Sequence, residues 1–288
     1  MLRSMTGFAR AERATAAGQL AWEIRSVNHR FLEVGLRLPE ELRASEAEFR
    51  RAIGAVARRG KVDASFYVRP AAAGARELAL DEALLDSLVE QAGAIRRRIG
   101  AEGRIDAMDL LRWPGVVKES ERDAAPLLVA ASELLGEALA AFTTARAGEG
   151  ERIAEMLTTR ATQVSGIVSE ILARLPEVQL RIRGKMQERL AALGAEVNPE
   201  RFEQEVALLV QKMDVAEELD RLRSHVQELT STLASGDAVG RKLDFLMQEF
   251  NREANTLSSK SQDVETTRKA VELKVLIEQM REQVQNVE

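Results

Sequence analysis

Apolar residues step through the last third of the chain by fours and threes. Val215, Leu219, Leu222, Val226, Leu229 and Leu233 keep that step, and Leu273, Leu276, Met280, Val284 and Val287 repeat it. Side chains three and four positions apart share one face of an α-helix, so each run is the seam of a helix packed lengthwise on another. Between them Leu243, Leu246, Met247, Phe250, Ala254 and Leu257 mark a further buried stripe. From residue 201 onward the sequence therefore predicts three helices packed together. The first runs from Arg201 to about Leu233 and breaks at Ser235-Gly236-Asp237. The second spans Gly240 to Leu257, and Ser258 to Asp263 separates it from the third. Asn198-Pro199-Glu200 reads as the helix start before them.

The amino-terminal part has a different period. In LAWEIRSVNHRFLEVGLRLP, Leu20, Trp22, Ile24 and Ser26 alternate with Ala21, Glu23, Arg25 and Val27. After a turn or bulge at Asn28-His29, Phe31, Glu33, Gly35 and Arg37 alternate with Leu32, Val34, Leu36 and Leu38. A period of two is that of half-buried strands. Leu42, Phe49, Ile53 and Val56 then recur at helical spacing, Gly60 ends that helix, and KVDASFYVRP supplies another strand. The expected unit is a small antiparallel sheet carrying a helix, and the chain as a whole is α+β but mostly α.

Between about 71 and 192 the pattern is almost continuously helical, in patches at 81–99, 105–112, 124–146 and 149–192. These are punctuated by Pro114-Gly115, by Pro126, and by Gly148 and Gly150. The last patch has a narrow apolar stripe, Ile153, Leu157, Val164, Ile167, Ile171 and Leu175, amid Arg and Glu, which predicts a protruding hairpin that contacts another chain. Three regions are expected: an α+β unit over 1–70, a helical arm over 71–200, and a helical carboxy-terminal domain over 201–288.

Several function classes are excluded or disfavoured. The absence of cysteine removes thiolate metal sites, a cysteine nucleophile and a disulfide scaffold. There is no Walker loop, dinucleotide glycine fingerprint, HExxH or serine-hydrolase elbow, so no nucleotide cofactor is expected. MLRSMTGFARAERAT lacks the apolar core of a signal peptide, and no uninterrupted apolar run is long enough to span a bilayer. A cytoplasmic protein is expected. With 4% aromatic residues, base-stacking RNA modules are not expected either.

The net charge of −5 disfavours a generic nucleic-acid binder, but the charge is unevenly spread. Residues 1–70 carry 13 Lys and Arg against 8 Asp and Glu, whereas 201–288 carry 12 against 17. Arg50, Arg51, Arg58, Arg59 and Lys61, then Arg96 to Arg98, then Arg181, Arg183, Lys185 and Arg189 are candidate backbone contacts for a polyanion, although each group also reads as a solvated helix face.

The polar residues near the carboxy-terminal seams are denser than packing requires. Helical geometry sets Asp244, Gln248, Asn251 and Asn255 along one flank of the 240–257 helix and Glu249 with Glu253 along the other. On the preceding helix, His225 shares a flank with Arg221, Glu218 and Asp214. Histidine beside carboxylates suits general acid/base chemistry or a hard divalent ion bound partly through imidazole. The other histidine, His29, lies in the expected turn and reads as structural or as a phosphate contact.

MTGFARAE, EIRSVNHRFLEVGLRLP and RGKVD at one end, and DVAEELDRLRSHV, GRKLDFLMQEFNREANTLSSKSQD and ELKVLIEQMREQVQN at the other, resemble the signatures of the YicC/YloC family of bacterial proteins. From 71 to 200 the likeness is one of length and helicity. The resemblance implies an endoribonuclease that cleaves phosphodiester bonds of single-stranded or structured RNA, depends on a divalent metal ion, acts in turnover of regulatory RNA, and forms ring-like hexamers around a central cavity.

For that chemistry the residues within the matching segments suggest Glu218, Glu249 and Glu253 as metal ligands, with Asp244 in reserve and His225 as proton handler or fourth ligand. Catalysis would then rest on His225, Glu249 and Glu253. Oxygen ligands with one imidazole favour Mn²⁺ or Mg²⁺. Alternatively His225 would deprotonate a ribose 2′-OH, leaving the metal a supporting role. Arg241, Arg252, Lys260 and Lys274 are the nearest phosphate contacts, with Arg25, Asn28 and Arg30 holding RNA from the front domain. A non-catalytic RNA-binding adaptor and an oligomeric coiled-coil scaffold are the competing readings.

Overall fold

A computed structural model describes residues 2–15, 18–69, 79–100, 106–118, 124–192, 198–235 and 239–288. Four strands form the amino-terminal sheet, β1 (Gly7–Thr15), β2 (Gly18–Val27), β3 (Leu32–Arg37) and β4 (Gly60–Arg69), in the order β1-β2-β4-β3. β1 and β2 are an antiparallel hairpin closed at Thr15 and Gly18, where Gly18 has φ 126°. β4 pairs antiparallel with β2, but β3 runs parallel to β4. The sheet, expected antiparallel, is therefore mixed. The cause is the helix between β3 and β4: a short 3-10 segment (Glu40–Ser45) and α1 (Glu46–Val56) return the chain to the end of the sheet it left, and a crossover of that length joins parallel strands.

One face of this sheet is buried. Trp22, fully buried on β2, meets Phe49 of α1 edge-on at 5.5 Å between ring centroids and lies 5.1 Å from Phe66 of β4. Its indole Nε1 donates to the Ala131 carbonyl at 2.9 Å. Ala131 belongs to α4 (Ala124–Ala192), whose Leu134, Leu135, Ala138 and Phe142 complete this first core. Before α4, a two-stranded ribbon, β5 (Ala79–Leu80) with β6 (Val117–Lys118), brackets α2 (Glu82–Ile99) and α3 (Ala107–Leu111).

At 69 residues α4 is about 100 Å long at 1.5 Å per residue. It runs straight through Gly148 and Gly150, where the sequence suggested a break. Gly150 answers a packing demand instead, because a Cβ there would collide with the Leu2 backbone carbonyl. Farther along, Ile153, Leu157, Ala161, Val164, Val168 and Ile171 of the same helix enter a second core. By length and composition α4 passes as a membrane span, with mean hydropathy reaching 1.5, but its apolar side chains are shared between the two cores.

The second core is a four-helix packing of α4 with α6 (Ala216–Ala234), α7 (Gly240–Lys260) and α8 (Val264–Val284). The apolar stripes of 215–233, 243–257 and 273–287 all face it, with Leu219, Leu222, Leu243, Phe250, Leu257, Leu273 and Met280 fully shielded. The helix expected from Arg201 to Leu233 is two: α5 (Pro199–Lys212), capped by the Asn198 side chain, ends at Met213, and Asp214 restarts the chain by accepting from Ala216 N at 2.9 Å. Of the expected break at Ser235-Gly236-Asp237, Gly236 and Asp237 lie outside the described residues.

Two joints fix the second core. At one, Ser4 bridges Val287, Met5 N donates to Asn286 O at 2.7 Å, and buried Arg146 pairs with Glu288 while donating to the carbonyls of Ser4 and Val56. At the other, buried Asp263 caps α8 through Thr266 N and Oγ1 (3.0 and 2.9 Å) and accepts from Arg174 Nε and Arg181 Nη1, each at 2.9 Å. The Arg174 guanidinium first, and then the Thr266 N–H and hydroxyl, hold the Asp263 carboxyl far below the ordinary carboxylate range.

Candidate active site

α6 and α7 are antiparallel neighbours, so as residue numbers rise on one they fall on the other. Lys242 meets Glu228 at 3.3 Å, Arg221 meets Glu253 at 3.3 Å, and Lys260 meets Glu218 at 2.7 Å. That register carries His225 of α6 to Glu249 and Glu253 of α7. One ligand atom from each of the three lies within 4.8 Å of the others, the spread a single ion can gather by small side-chain movements. Glu249 and Glu253 are four apart on one helix, hence on one flank, and His225 closes the triangle from across the seam.

Each member is held differently. Glu253 is buried, its side chain 3% exposed, and Arg221 is its ionic partner. The Glu253 carboxylate, together with Glu217, raises the Arg221 guanidinium pKa above its usual value. Glu249, with 27% of its side chain exposed, faces outward and lies 3.9 Å from Arg252. The imidazole of His225 packs edge-on against Phe250 at 5.5 Å, which fixes the ring plane, and its buried Nε2 has no hydrogen-bond partner among the described residues. An orphaned imidazole nitrogen costs free energy unless something occupies it. A donor set of one imidazole and two carboxylates fits Mn²⁺ or Mg²⁺.

The remaining sequence candidates fall elsewhere. Glu218 is buried but its Oε1 is taken by Lys260, two turns of α6 away from His225, and its Oε2 is unpartnered. Asp244 bonds Gln248 along α7 instead of joining the group. Arg252 flanks Glu249, Lys260 is committed to Glu218 and the Asp214 carbonyl, and Arg241 and Lys274 are exposed. Arg25, Asn28 and Arg30 belong to the sheet unit, where Arg30 lies over the Phe31 ring at 5.2 Å. His29 Nδ1 lies 3.1 Å from the Phe31 carbonyl oxygen and 3.4 Å from the Phe31 N, and its Nε2 is 3.7 Å from Glu33. Several arm and α1 arginines are engaged: Arg50 with Glu46, Arg181 with Asp263, Arg183 with Glu203. Arg221 was underrated by sequence reasoning. Its position four residues before His225 was the available signal, since that spacing places both on the flank facing α7.

A family model described as "Endoribonuclease YicC-like, N-terminal region" matches residues 2–155, and one described as "Endoribonuclease YicC-like, C-terminal" matches 171–288. The chain belongs to the YicC-like endoribonuclease family. A Haemophilus influenzae protein named "Probable endoribonuclease YicC" is 42% identical over 292 residues, covering 100% of both chains. A Clostridioides difficile protein of the same name is 32% identical over 295 residues, again over 100% of each. The YicC-like C-terminal match contains α6 and α7 entire, and with them His225, Glu249 and Glu253, while the N-terminal match contains the sheet and the first half of α4.

Proposed function

We propose that this chain is a divalent-metal-dependent endoribonuclease whose site is the His225, Glu249 and Glu253 group at the α6–α7 seam. The observation that carries the reading is the convergence of three ligand-type atoms within 4.8 Å beside an unpartnered buried imidazole nitrogen, on helices inside the matched family segment. His225, Glu249 and Glu253 would hold Mn²⁺ or Mg²⁺. When bound, such an ion neutralises charge on the phosphate and makes a bound water acidic enough to give up its proton near neutral pH.

The chain's own groups divide the rest of the work. Phe250 keeps the His225 ring in plane, and Arg221 compensates the buried Glu253 charge while leaving its second oxygen available. Glu249, the more exposed carboxylate, is where RNA can reach the group; its oxygen not on the ion would take the proton lost by the attacking water, and solvent at this half-open flank would protonate the leaving ribose oxygen. Arg252 beside it, with Arg241, binds the flanking phosphates. Glu218 and Lys260 act as a supporting pair rather than as ligands. The family likeness supports RNA as substrate; turnover of regulatory RNA in the cytoplasm, a hexameric assembly, and a division into a 1–70 unit, a 71–200 arm and a 201–288 catalytic region belong to the same proposal.

The test is incubation of purified wild-type and His225→Ala protein with a labelled structured RNA in Mn²⁺, in Mg²⁺ and in chelator. Wild type is expected to cut only with metal, and the variant to bind RNA without cutting it. If both bind and neither cuts under any condition, the adaptor reading replaces this one.

A further inference from the structure

We propose that the open face of the amino-terminal sheet is a stacking platform for single-stranded RNA, with Phe8 and Tyr67 as base contacts and Arg25 and Arg37 as phosphate contacts. The inference rests on RNA being the ligand of this chain but not on the chain cutting it.

The strands alternate, so residues opposite to Trp22, Ile24 and Phe66 point away from the first core. Among the described residues no helix packs on that side: α1 and α4 both pack on the Trp22 face. The register places Phe8 directly across from Arg25, Arg25 across from Asp63, and Asp63 across from Gly35. One pleat farther along, Arg10, Glu23, Ser65 and Arg37 form the next row, and Tyr67 stands in the row after that. Phe8 and Tyr67 are 57% and 47% exposed, and with Arg25 and Arg37 they line one shallow depression. Gly35 lets that floor lie flat, since a Cβ there would meet Asp63 Oδ1 at 2.7 Å.

Aromatic residues are scarce in this chain, 11 in 288, so two exposed rings lining one depression are informative where a single one would not be. Low aromatic content argued against base stacking, yet the register gathers two of these rings on one solvent-facing surface. The charge of the surface selects the ligand. Of its carboxylates, Glu12 and Glu23 are both taken by Arg10, Glu33 lies 3.7 Å from His29 and Asp63 stands across from Arg25, whereas Arg25, Arg37 and Lys61 have no ion-pair partner among the described residues. The platform thus presents π-faces beside cations that outnumber the carboxylates left free around them, the combination that single-stranded nucleic acid uses. A protein partner of any permanence would ask for an apolar centre, and Ser65, Asp63 and Arg25 occupy the centre here. A paired duplex offers no free base to stack.

The test measures binding in chelator, where no cutting intervenes, using a fluorescein-labelled oligouridylate and, for comparison, a blunt RNA duplex of equal phosphate number. The Phe8→Ala/Tyr67→Ala double variant is expected to lose about tenfold or more in oligouridylate affinity with duplex affinity unchanged, because stacking is specific to unpaired bases. Arg25→Ala/Arg37→Ala is expected to weaken oligouridylate binding and to flatten its dependence on salt. Far-UV circular dichroism of each variant checks the fold, and 4-thiouridine crosslinks in wild type are expected at the sheet face. Unchanged oligouridylate affinity in folded variants, an equal loss for duplex, or a changed oligomeric mass with no change in RNA affinity would each overturn the proposal. Binding through the sheet without cutting in any metal would instead remove the nuclease reading and leave this one standing.

Discussion

Three ligand groups held close without an ion should strain the fold, and that strain can be measured. Two carboxylate oxygens within 4.8 Å of each other repel by at least ~0.9 kcal/mol at the dielectric of water and ~3.5 kcal/mol at an effective value of ~20. Glu253 is compensated by Arg221 at 3.3 Å, and Glu249 is partly solvated, so about 1 kcal/mol is the net expectation. Glu249→Gln keeps the shape and removes one charge. In chelator it should therefore be more stable than wild type by about 1 kcal/mol, roughly 2–3 °C in Tm for a chain of this size. With Mn²⁺ at a hundred times its Kd the order reverses, because wild type gains about 2.7 kcal/mol by linkage and the variant gains little. Thermal and urea unfolding followed by circular dichroism, with and without Mn²⁺, reads both arms. A variant that is less stable in chelator and gains as much from Mn²⁺ as wild type does would refute the reasoning.

Two further predictions concern the joints that hold the site's helices. Asp263→Asn keeps the cap on α8 but loses the charge that Arg174 and Arg181 share, and should cost about 1–2 kcal/mol after allowance for solvent around the arginines. Because the folded carboxyl is held far below its ordinary pKa, the wild-type advantage should be full above pH ~4 and shrink as pH falls below it, which urea titrations across pH 3–7 would show. Gly150→Ala drives a methyl group into the Leu2 backbone and should destabilise by about 2 kcal/mol or more, whereas Gly148→Ala, with open space around it, should be neutral or slightly stabilising; paired unfolding curves check the contrast.

What was legible in the sequence was whatever a single element expresses by itself. The stripes on α6, α7 and α8 are written in their 3.6 period, the Trp22 face of β2 in its alternation, and the start of α5 in Asn198-Pro199. What was not legible depends on how elements meet. Gly148 and Gly150 look like breakers until Leu2 is seen crowding the helix, and β3 and β4 look antiparallel until the crossover through α1 is followed. The stop between α5 and α6 rests on three residues, Met213 to Val215, inside an otherwise helical pattern. For the site, spacing placed Glu249 with Glu253, and His225 with Arg221, but only the α6–α7 register brings the two pairs together. The same register removes Glu218 by giving it Lys260.

The most direct measurement is a crystal structure of the chain grown with Mn²⁺, with data collected for the metal's anomalous signal. The account predicts one anomalous peak bounded by His225, Glu249 and Glu253, with ligand distances of about 2.0–2.3 Å, lost in the Glu253→Gln crystal. A protein that cuts RNA with Mn²⁺ yet shows its anomalous peak elsewhere, with these three side chains unengaged, would contradict the account at its centre.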